Sequence, residues 1–260
     1  FRPRLPLSMS LNTSTTPDGR GVLLYNGEII LLYTKNVKMQ FEHTSEAALK
    51  GSKDGALYLT SHRIIFVNNK QGQPFTSFAL PFFALEEVKL EQPLFGSNYL
   101  KGRIQALPGG NFSGDVKWKL TFPKGGCIEF GQALLHATEL ASRQRPTNAP
   151  PEYFPTAPPA SYYAAPATMY SAPPTVYYGV TIPTQAFPER PQSGNVYVYD
   201  QPPPYPGIAP LPTYDATNGG MYPAVPPSAP YAMGSNMPVP VPSSAPPPPY
   251  PEAGPLPQKN

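Results

Sequence analysis

The chain has 260 residues, of which 40 are proline, and only 13% of the residues are charged. A single cysteine excludes an intrachain disulfide and a multi-cysteine zinc site, and three histidines leave little material for a histidine-rich metal centre. The formal net charge of +3 is too small to indicate nucleic-acid binding by itself, and no apolar run approaches the roughly 20 residues that a membrane-spanning helix needs. We therefore expect an intracellular protein that is not an enzyme.

Composition divides the chain near Pro146. Residues 20–143 contain five prolines, 14 lysines and arginines, and 10 aspartates and glutamates, which is typical of a folded domain. Residues 144–260 contain 32 prolines and 13 tyrosines but only eight charged residues. Dense proline removes backbone donors, and few large aliphatic residues remain to offset the entropy of ordering the chain. The sequence predicts a disordered extension at 1–19, a folded domain at 20–143 and a disordered tail at 144–260.

Short strands are predicted along the folded part. Apolar runs at 22–24 and 28–33 flank Asn26-Gly27, which is the strongest short signal for a β-hairpin. Later runs predict strands at 55–60, 63–67, 75–83, 85–90 and 99–106. Apolar and polar residues alternate over 116–122, as in a half-buried strand, and a last strand is predicted at 127–130.

The period of the apolar residues changes after Gly131. From there to Arg143 they recur at helical spacing, and Pro146 ends the pattern. The sequence therefore predicts a mainly β fold of roughly seven strands. We expect a small antiparallel barrel or sandwich with one C-terminal helix, followed by the disordered tail.

Several segments carry a resemblance to a known family. Residues 55–66, GALYLTSHRIIF, resemble the core signature of GRAM domains, which have a pleckstrin-homology-like fold. Residues 77–82, 91–102 and 126–132 are similar to the WW domain-binding protein 2 family. The resemblance covers about residues 9–143 by sequence, and the tail by composition and motif. It implies a pleckstrin-homology-like domain at 20–143.

The tail contains three segments that fit the pattern Pro-Pro-x-Tyr, at 150–153, 202–205 and 247–250. WW domains offer an aromatic groove to a polyproline II strand, whose three residues per turn place the first proline and the tyrosine on one face. The candidate WW-binding residues are Pro150, Pro151, Tyr153, Pro202, Pro203, Tyr205, Pro247, Pro248 and Tyr250. A weaker, leucine-first variant comprises Leu211, Pro212 and Tyr214. The alternative is a solvating tail in which proline and tyrosine merely occur together.

A second short motif directly follows the first Pro-Pro-x-Tyr segment. Its residues are Pro155, Thr156, Ala157 and Pro158. They resemble the peptide that recruits the ubiquitin E2 variant domain of the endosomal sorting machinery. Four common tail residues in this order are weak support for a sorting function.

The family resemblance implies a non-enzymatic adaptor that acts as a transcriptional coactivator in steroid-receptor and Hippo-type pathways. Its expected partners are WW-domain coactivators and HECT-type ubiquitin ligases, in cytoplasm and nucleus. Nuclear hormone receptors would be contacted indirectly, because the sequence has no Leu-x-x-Leu-Leu motif. No direct sequence-specific binding to nucleic acid is expected.

The alternative is a peripheral membrane or endosomal adaptor whose domain binds phosphoinositides and whose tail recruits ligases or sorting machinery. Six lysines could form a basic patch for this purpose: Lys35, Lys38, Lys50, Lys53, Lys70 and Lys101. Scattered lysines are more often a solvated face, so the sequence leaves lipid binding open.

The chemically reactive residues suggest no active site. Cys127 lies in a predicted strand and is interpreted as a small core residue. His43, His62 and His136 are scattered and belong to no triad, metal or phosphate-loop motif. No catalytic residue, metal ligand or cofactor is predicted.

Overall fold

In the computed structural model, the described residues are 11–42, 44–70, 72–105, 114–143, 162–171, 175–199, 203 and 207–208. All of them belong to one compact unit that spans residues 1–227. Within these ranges the chain forms a seven-stranded sheet, a three-stranded sheet, a two-stranded hairpin and one α-helix.

The large sheet consists of two antiparallel meanders joined along one long strand. In order, its strands are β5, β4, β3, β2, β8, β7 and β6. The bounds of these strands are β2 Ile30–Glu42, β3 Lys53–Thr60, β4 Arg63–Asn68, β5 Ser77–Pro81, β6 Leu85–Glu91, β7 Tyr99–Gln105 and β8 Asp115–Thr121. Strand β1, Val22–Tyr25, lies outside this sheet. The first meander therefore runs from β2 to β5 and the second from β6 to β8.

The 13-residue strand β2 is shared by both meanders. Its residues from Ile30 to Met39 pair with β3, and those from Lys38 to Glu42 pair with β8. The β2–β3 register shifts between Thr34 and Val37, where Asn36 has a φ of 60°. Such a bulge bends the strand and increases its twist. The bend lets the two meanders face each other around one core.

The helix α1, Cys127–Arg143, packs on this core. Phe130, Leu134, Ala137 and Ala141 are buried and recur every three or four residues, which makes one apolar stripe along the helix. The helix contacts β6, β7 and the short 3-10 turn at Phe82–Ala84. The prediction of a mainly β fold with a closing C-terminal helix is confirmed.

The strand predicted at 127–130 is wrong, because these residues form the first turn of α1. Gly125 and Gly126 have φ angles of +87° and +84°, so they turn the chain directly before the helix. The Phe130 amide then donates to the Gly126 carbonyl over 3.0 Å. Four apolar and polar residues are too few to distinguish a period of 2 from one of 3.6.

The hairpin predicted around Asn26-Gly27 is also wrong, although a turn does form there. The Glu28 amide donates to the Tyr25 carbonyl over 3.0 Å, and Gly27 has a φ of +85°. However, β1 does not pair with β2. It pairs in parallel with β12, Val196–Tyr199, which comes from the predicted tail.

Part of the predicted tail packs on the domain, and we call its described residues (162–171, 175–199 and 207–208) the strap. Besides β12, the strap contains β9 at Tyr162–Ala164, β10 at Val176–Tyr177 and β11 at Val180–Thr181. Strand β9 pairs with β12 in antiparallel fashion, and α1 contacts β11.

The strap differs from the predicted disorder because its few apolar residues meet an apolar surface of the domain. Val180, Ile182, Phe187, Val196, Val198 and Ile208 are buried. The Phe187 ring packs edge-on against Phe130 at a centroid distance of 6.1 Å. Apart from Pro203, the other tail residues lie outside the described ranges, and the prediction made for them stands as a prediction.

The N-terminal boundary differs as well, since residues 11–19 are not an extension separate from the domain. Leu11 and Ser14 are buried, and Leu11 forms a bridge with Phe78 of β5. The Asn12 side chain accepts from the Thr76 amide over 2.8 Å, and the Leu23 amide donates to the Ser14 carbonyl over 2.9 Å. This segment therefore connects the edge of the large sheet to β1.

Candidate functional site

The predicted WW-binding residues lie almost entirely outside the described ranges. Only Pro203 of the second motif is described, and it is partly exposed. The leucine-first variant at 211–214 and the sorting motif at 155–158 also lie outside. These site predictions therefore stay predictions, and the described residues show the cavities, charges and contacts of the folded unit.

Carboxylates lie beside three of the six lysines of the predicted basic patch. Lys35 lies 3.9 Å from Glu189 of the strap, and Lys38 lies 4.0 Å from Asp54. Lys101 is on β7 and forms a 2.7 Å ion pair with Glu91. Part of the positive charge of the predicted patch is therefore offset by neighbouring carboxylates.

Two of these lysines, Lys53 and Lys70, line a cavity of about 260 Å³. We call it the loop cavity, because it opens between the β2–β3 and β4–β5 connections. The Lys53 ammonium donates to the carbonyl of Lys50 over 2.6 Å and lies 5.6 Å from the centre of the Phe75 ring. The remaining lining residues are Ala47, Ala48, Ser52, Asp54, Asn68, Gln73 and Pro74. Two ammonium groups beside polar side chains can hold an anion, although Asp54 opposes it.

A second cavity of about 310 Å³ lies on the outer face of β6, β7 and β8. Five cations line it, with two carboxylates and two aromatic residues: Lys89, Lys101, Arg103, Lys117, Lys119, Glu42, Glu87, Tyr99 and Trp118. Carboxylates engage several of these cations. Arg103 lies within 2.6 Å of Glu86, 3.6 Å of Glu87 and 3.5 Å of Asp115. This face therefore carries both signs of charge, with more cations than carboxylates in the lining.

A buried ion pair fixes the start of the domain. The Arg63 guanidinium donates to the two carboxylate oxygens of Glu28 over 2.9 and 3.0 Å. It also donates to the Ser14 hydroxyl over 3.1 Å and to the Leu23 carbonyl over 2.9 Å. Burial by itself would raise the pKa of Glu28, but the charge of Arg63 and the hydrogen bonds from Arg63 and Thr60 hold that pKa below its ordinary value. The cluster joins β1 and β4 and has a structural role.

The strap ends against the turn between β3 and β4. The Ile208 amide donates to the Ser61 carbonyl over 2.9 Å, and the Ile208 side chain is fully buried. Gly207 lies so close that a Cβ atom would meet the His62 ring and the Ser61 carbonyl at 2.5 Å. Burial lowers the pKa of His62 to about 4, so its ring is neutral at pH 7.

Sequence reasoning missed the strap, although one signal was present. Val196-Tyr197-Val198-Tyr199 alternates β-branched and aromatic residues, which are the residues enriched in strands. This run was concealed because the composition was counted over the whole tail of 117 residues, which contains 32 prolines.

The described cysteine and histidine residues, which were considered as catalytic or metal-binding groups, do not form a common site. Cys127 is buried at the start of α1, and burial raises the pKa of its thiol to about 11, which disfavours a thiolate. His62 lies against the strap and His136 is exposed on the helix. No group of three His, Cys, Asp or Glu side chains in the described ranges could hold a metal ion. Among the same residues, no helix is long and apolar enough to cross a membrane.

Residues 22–140 match the GRAM domain family. This is the part of the chain that contains both meanders and most of α1. The predicted GRAM domain is therefore confirmed for these residues. The N-terminal pleckstrin-homology domain of Vps36 is a similar solved structure, with a TM-score of 0.38, 21% identity, and coverage of 50% of this chain and 93% of that one.

Two kinds of curated relative share this domain. Human WW domain-binding protein 2 is 40% identical over 137 residues, which are 52% of this chain and 52% of the relative. The bovine postacrosomal sheath WW domain-binding protein is 38% identical over 152 residues, which are 57% of this chain and 49% of the relative. The chain thus spans about half the length of these relatives. The resemblance to the WW domain-binding protein 2 family is confirmed.

Proposed function

We propose that this chain is a non-enzymatic adaptor that recruits WW-domain proteins through the Pro-Pro-x-Tyr segments at 150–153, 202–205 and 247–250. One observation carries the proposal: all three motifs occur in a chain whose relatives are named WW domain-binding proteins. The high thiol pKa of the buried Cys127 supports the non-enzymatic part, because it disfavours the thiolate form that a cysteine nucleophile needs.

The expected mechanism is docking of a partly preordered strand. Prolines limit the conformations of the free peptide, so less entropy is lost when it enters an aromatic groove. The tyrosine ring fills a second pocket, and its hydroxyl finds a hydrogen-bond partner there.

More than one motif can serve a partner with two WW domains. Tyr205 and Tyr250 are 45 positions apart. A flexible chain of that length spans roughly 40 Å, by the relation of about 5–6 Å times the square root of residue number. Simultaneous binding of both motifs would raise the overall affinity by avidity.

The finer proposal is that the recruited proteins include WW-domain transcriptional coactivators and that the adaptor works in cytoplasm and nucleus. HECT-type ubiquitin ligases with WW domains would compete for the same motifs. A nuclear hormone receptor would be reached through the GRAM domain or through a WW-containing third protein, since the sequence lacks a Leu-x-x-Leu-Leu motif.

Loss of the three motif tyrosines tests the proposal. A full chain with Tyr153, Tyr205 and Tyr250 changed to Ala should lose its WW-domain partners in pull-downs from nuclear and cytoplasmic extracts. The matched control changes Tyr163, Tyr222 and Tyr231, which lie outside the motifs, and should keep those partners. Survival of the same partners after the motif change would refute recruitment through Pro-Pro-x-Tyr.

A second candidate is a peripheral membrane adaptor, and the two lysines of the loop cavity favour it. The full chain would then sediment with vesicles that contain phosphoinositides. Changing Lys53 and Lys70 to Ala should abolish this sedimentation, whereas changing Lys117 and Lys119 should not. Equal sedimentation with and without phosphoinositide would end the lipid hypothesis.

The sorting motif has its own test, because Thr156→Ala should remove binding of a tail peptide to a ubiquitin E2 variant domain.

A further inference from the structure

The outer face of the second meander sets like charges opposite one another. In the strand register, Lys89 of β6 lies opposite Lys101 of β7, and Lys101 lies opposite Lys119 of β8. We call these three residues the lysine row. Two residues further along the strands, Arg103 lies opposite Lys117. All five cations line the cavity of about 310 Å³, so they share one face of the sheet.

The charge of the lysine row is only partly compensated. Lys101 forms an ion pair with Glu91 over 2.7 Å. Lys89 and Lys119 belong to none of the ion pairs between described residues. The Lys119 ammonium lies instead 3.9 Å from the centre of the Tyr99 ring. Like charges directly opposite each other destabilise a sheet, so the row has a cost for folding that an anionic ligand would relieve.

Two exposed apolar side chains lie on the connection between β6 and β7. Leu94 and Phe95 are 97% and 92% exposed, the highest values among the large apolar side chains that the structure describes. We call them the apolar tip. The connection, residues 92–98, contains no charged side chain, and Gly96 bends it with a φ of +103°. Exposed apolar surface with a polar border is typical of an interaction site.

The apolar tip and the lysine row are close enough to contact one ligand. On both strands the row lies two residues from the connection, since β6 ends at Glu91 and β7 begins at Tyr99. At about 3.3 Å per residue this separation is about 7 Å, and the Arg103–Lys117 pair lies about 7 Å further along. An extended segment of about five residues can therefore cover both rows of cations and reach the connection.

The mixed lining of the cavity indicates which kind of ligand fits. Glu42 and Glu87 line it together with the five cations. A uniformly negative ligand, such as an anionic bilayer or a nucleic-acid backbone, would be repelled by these two carboxylates. A bilayer is also too flat to fill a recess. A polypeptide carries its carboxylates on separate side chains, so it can place them at the lysines and away from Glu42 and Glu87.

We propose that the face formed by β6, β7 and β8 binds an extended acidic segment of a partner protein. Carboxylates of the segment accept hydrogen bonds from the lysine row, and a large apolar residue of the segment packs on Leu94 and Phe95. Neither the Pro-Pro-x-Tyr motifs nor the loop cavity take part. This role is therefore additional to WW recruitment and to the phosphoinositide alternative.

Binding of a simple acidic peptide to the full chain tests this surface. The probe is a labelled peptide of one phenylalanine, one glycine and four glutamates, and fluorescence anisotropy measures its affinity at about 0.1 M salt, where charges more than about 10 Å apart are screened. Lys89→Gln together with Lys119→Gln should weaken binding roughly 4- to 25-fold, because each exposed ion pair contributes a factor of about 2 to 5. Leu94→Ser together with Phe95→Ser should weaken binding by a similar factor, through lost apolar contact.

Matched variants separate a local site from a general effect of charge. Lys50→Gln together with Lys70→Gln removes the same charge from the connections of the first meander and should change the affinity by less than about twofold. Val176→Ser alters an exposed apolar side chain of the strap and should have no effect. A peptide with glutamine in place of glutamate should bind at least roughly 10 times more weakly.

The cost of the lysine row can be measured without a ligand. Lys89→Gln should raise the midpoint of urea unfolding of the full chain, because it removes a like charge opposite Lys101. A lowered midpoint would mean that the row is not costly for folding, and it would remove the reason to expect an anionic ligand there.

The binding outcomes are equally decisive. Absence of binding by the glutamate peptide at millimolar concentration, or an equal loss in the two lysine double variants, would overturn the proposed site. Equal binding of the glutamine peptide would exclude recognition by charge. Sedimentation with phosphatidylserine vesicles that is lost after Leu94→Ser and Phe95→Ser would assign the tip to a bilayer instead. The same variants should keep their WW-domain partners in pull-downs, so a failure here leaves WW recruitment intact.

Discussion

At the scale of single residues, the Glu28–Arg63 pair decides how the N-terminal part of the domain is fixed. The two side chains are buried, and Arg63 also donates to Ser14, which precedes β1, and to Leu23 within β1. Two charges taken out of water are stabilising only while they remain paired and hydrogen-bonded. Each partner is therefore far more costly to lose than an exposed charge.

Arg63→Ala should lower the free energy of unfolding by about 3–5 kcal/mol, because it leaves the Glu28 carboxylate buried without its cation. The matched control is Arg143→Ala, which breaks an exposed pair with Glu139 and should cost at most about 0.5 kcal/mol. Denaturant titration followed by the fluorescence of the buried Trp118 measures both. Similar losses in the two variants would contradict the structural role of the buried pair.

His62 should make the stability of the domain depend on pH. Its pKa is about 4 in the folded chain and about 6.5 when unfolded, so the unfolded chain binds a proton first as the pH falls. The free energy of unfolding should therefore decline from about pH 6.5 toward pH 4, by at most about 1.4 kcal/mol per pH unit. Glu28, whose pKa is lowered on folding, adds a further loss at more acidic pH. His62→Gln should flatten the first decline, and His136→Gln on the exposed side of α1 should not.

At the scale of elements, sequence patterns located most strands of the large sheet to within about two residues, but they missed β2 beyond Tyr33, since it extends to Glu42. Strand β7 was predicted at 99–106 and is Tyr99–Gln105, because its sheet has one face in the core and one in water. The same reasoning failed for β1, because a correct local turn signal was taken to mean pairing with the next strand, whereas β1 pairs with a strand distant in sequence. Asn26-Gly27 does turn the chain, but the Glu28 side chain accepts from the Tyr25 amide and bonds to Arg63, and β1 finds its partner in β12.

Sequence reasoning about the candidate site was likewise limited to signals that are local in the chain. The Pro-Pro-x-Tyr motifs are read from sequence because WW recognition needs only a short extended segment. The contact of Gly207 and Ile208 with Ser61 and His62 could be found only in the folded structure, since Ser61 and His62 lie about 145 positions earlier in the chain. Likewise, charge counting grouped six lysines, whereas the structure places Lys53 and Lys70 at the loop cavity and Lys101 beside Glu91 on the second meander.

Strand β12 should contribute to the stability of the folded unit. Val198 is fully buried, so Val198→Ala should lower the free energy of unfolding by about 1–3 kcal/mol. Tyr163→Ala in the paired strand β9 is the control, because that side chain is 47% exposed and should matter little. A value near zero for Val198→Ala, with Trp118 fluorescence as the readout, would mean that the strap does not take part in cooperative unfolding.

At the scale of the whole molecule, one chain combines a folded domain with binding motifs that follow it in sequence. The motif at 150–153 precedes the strap, the motif at 202–205 lies between its last two parts, and the motif at 247–250 follows it. Under the proposed function, the folded unit therefore interrupts the series of motifs along the chain.

The parallel pairing of β1 with β12 also has a consequence for how the protein is made. Val22 pairs with Val196, so 174 residues separate the partners (196 − 22). At about 5–20 residues per second, a ribosome would synthesise the second partner roughly 10–35 s after the first. During this interval the two meanders can form, while the edge of β1 lacks the strand that covers it. The first strand of the domain is thus among the last to be completed, and a nascent chain is exposed to edge-to-edge association until its tail emerges.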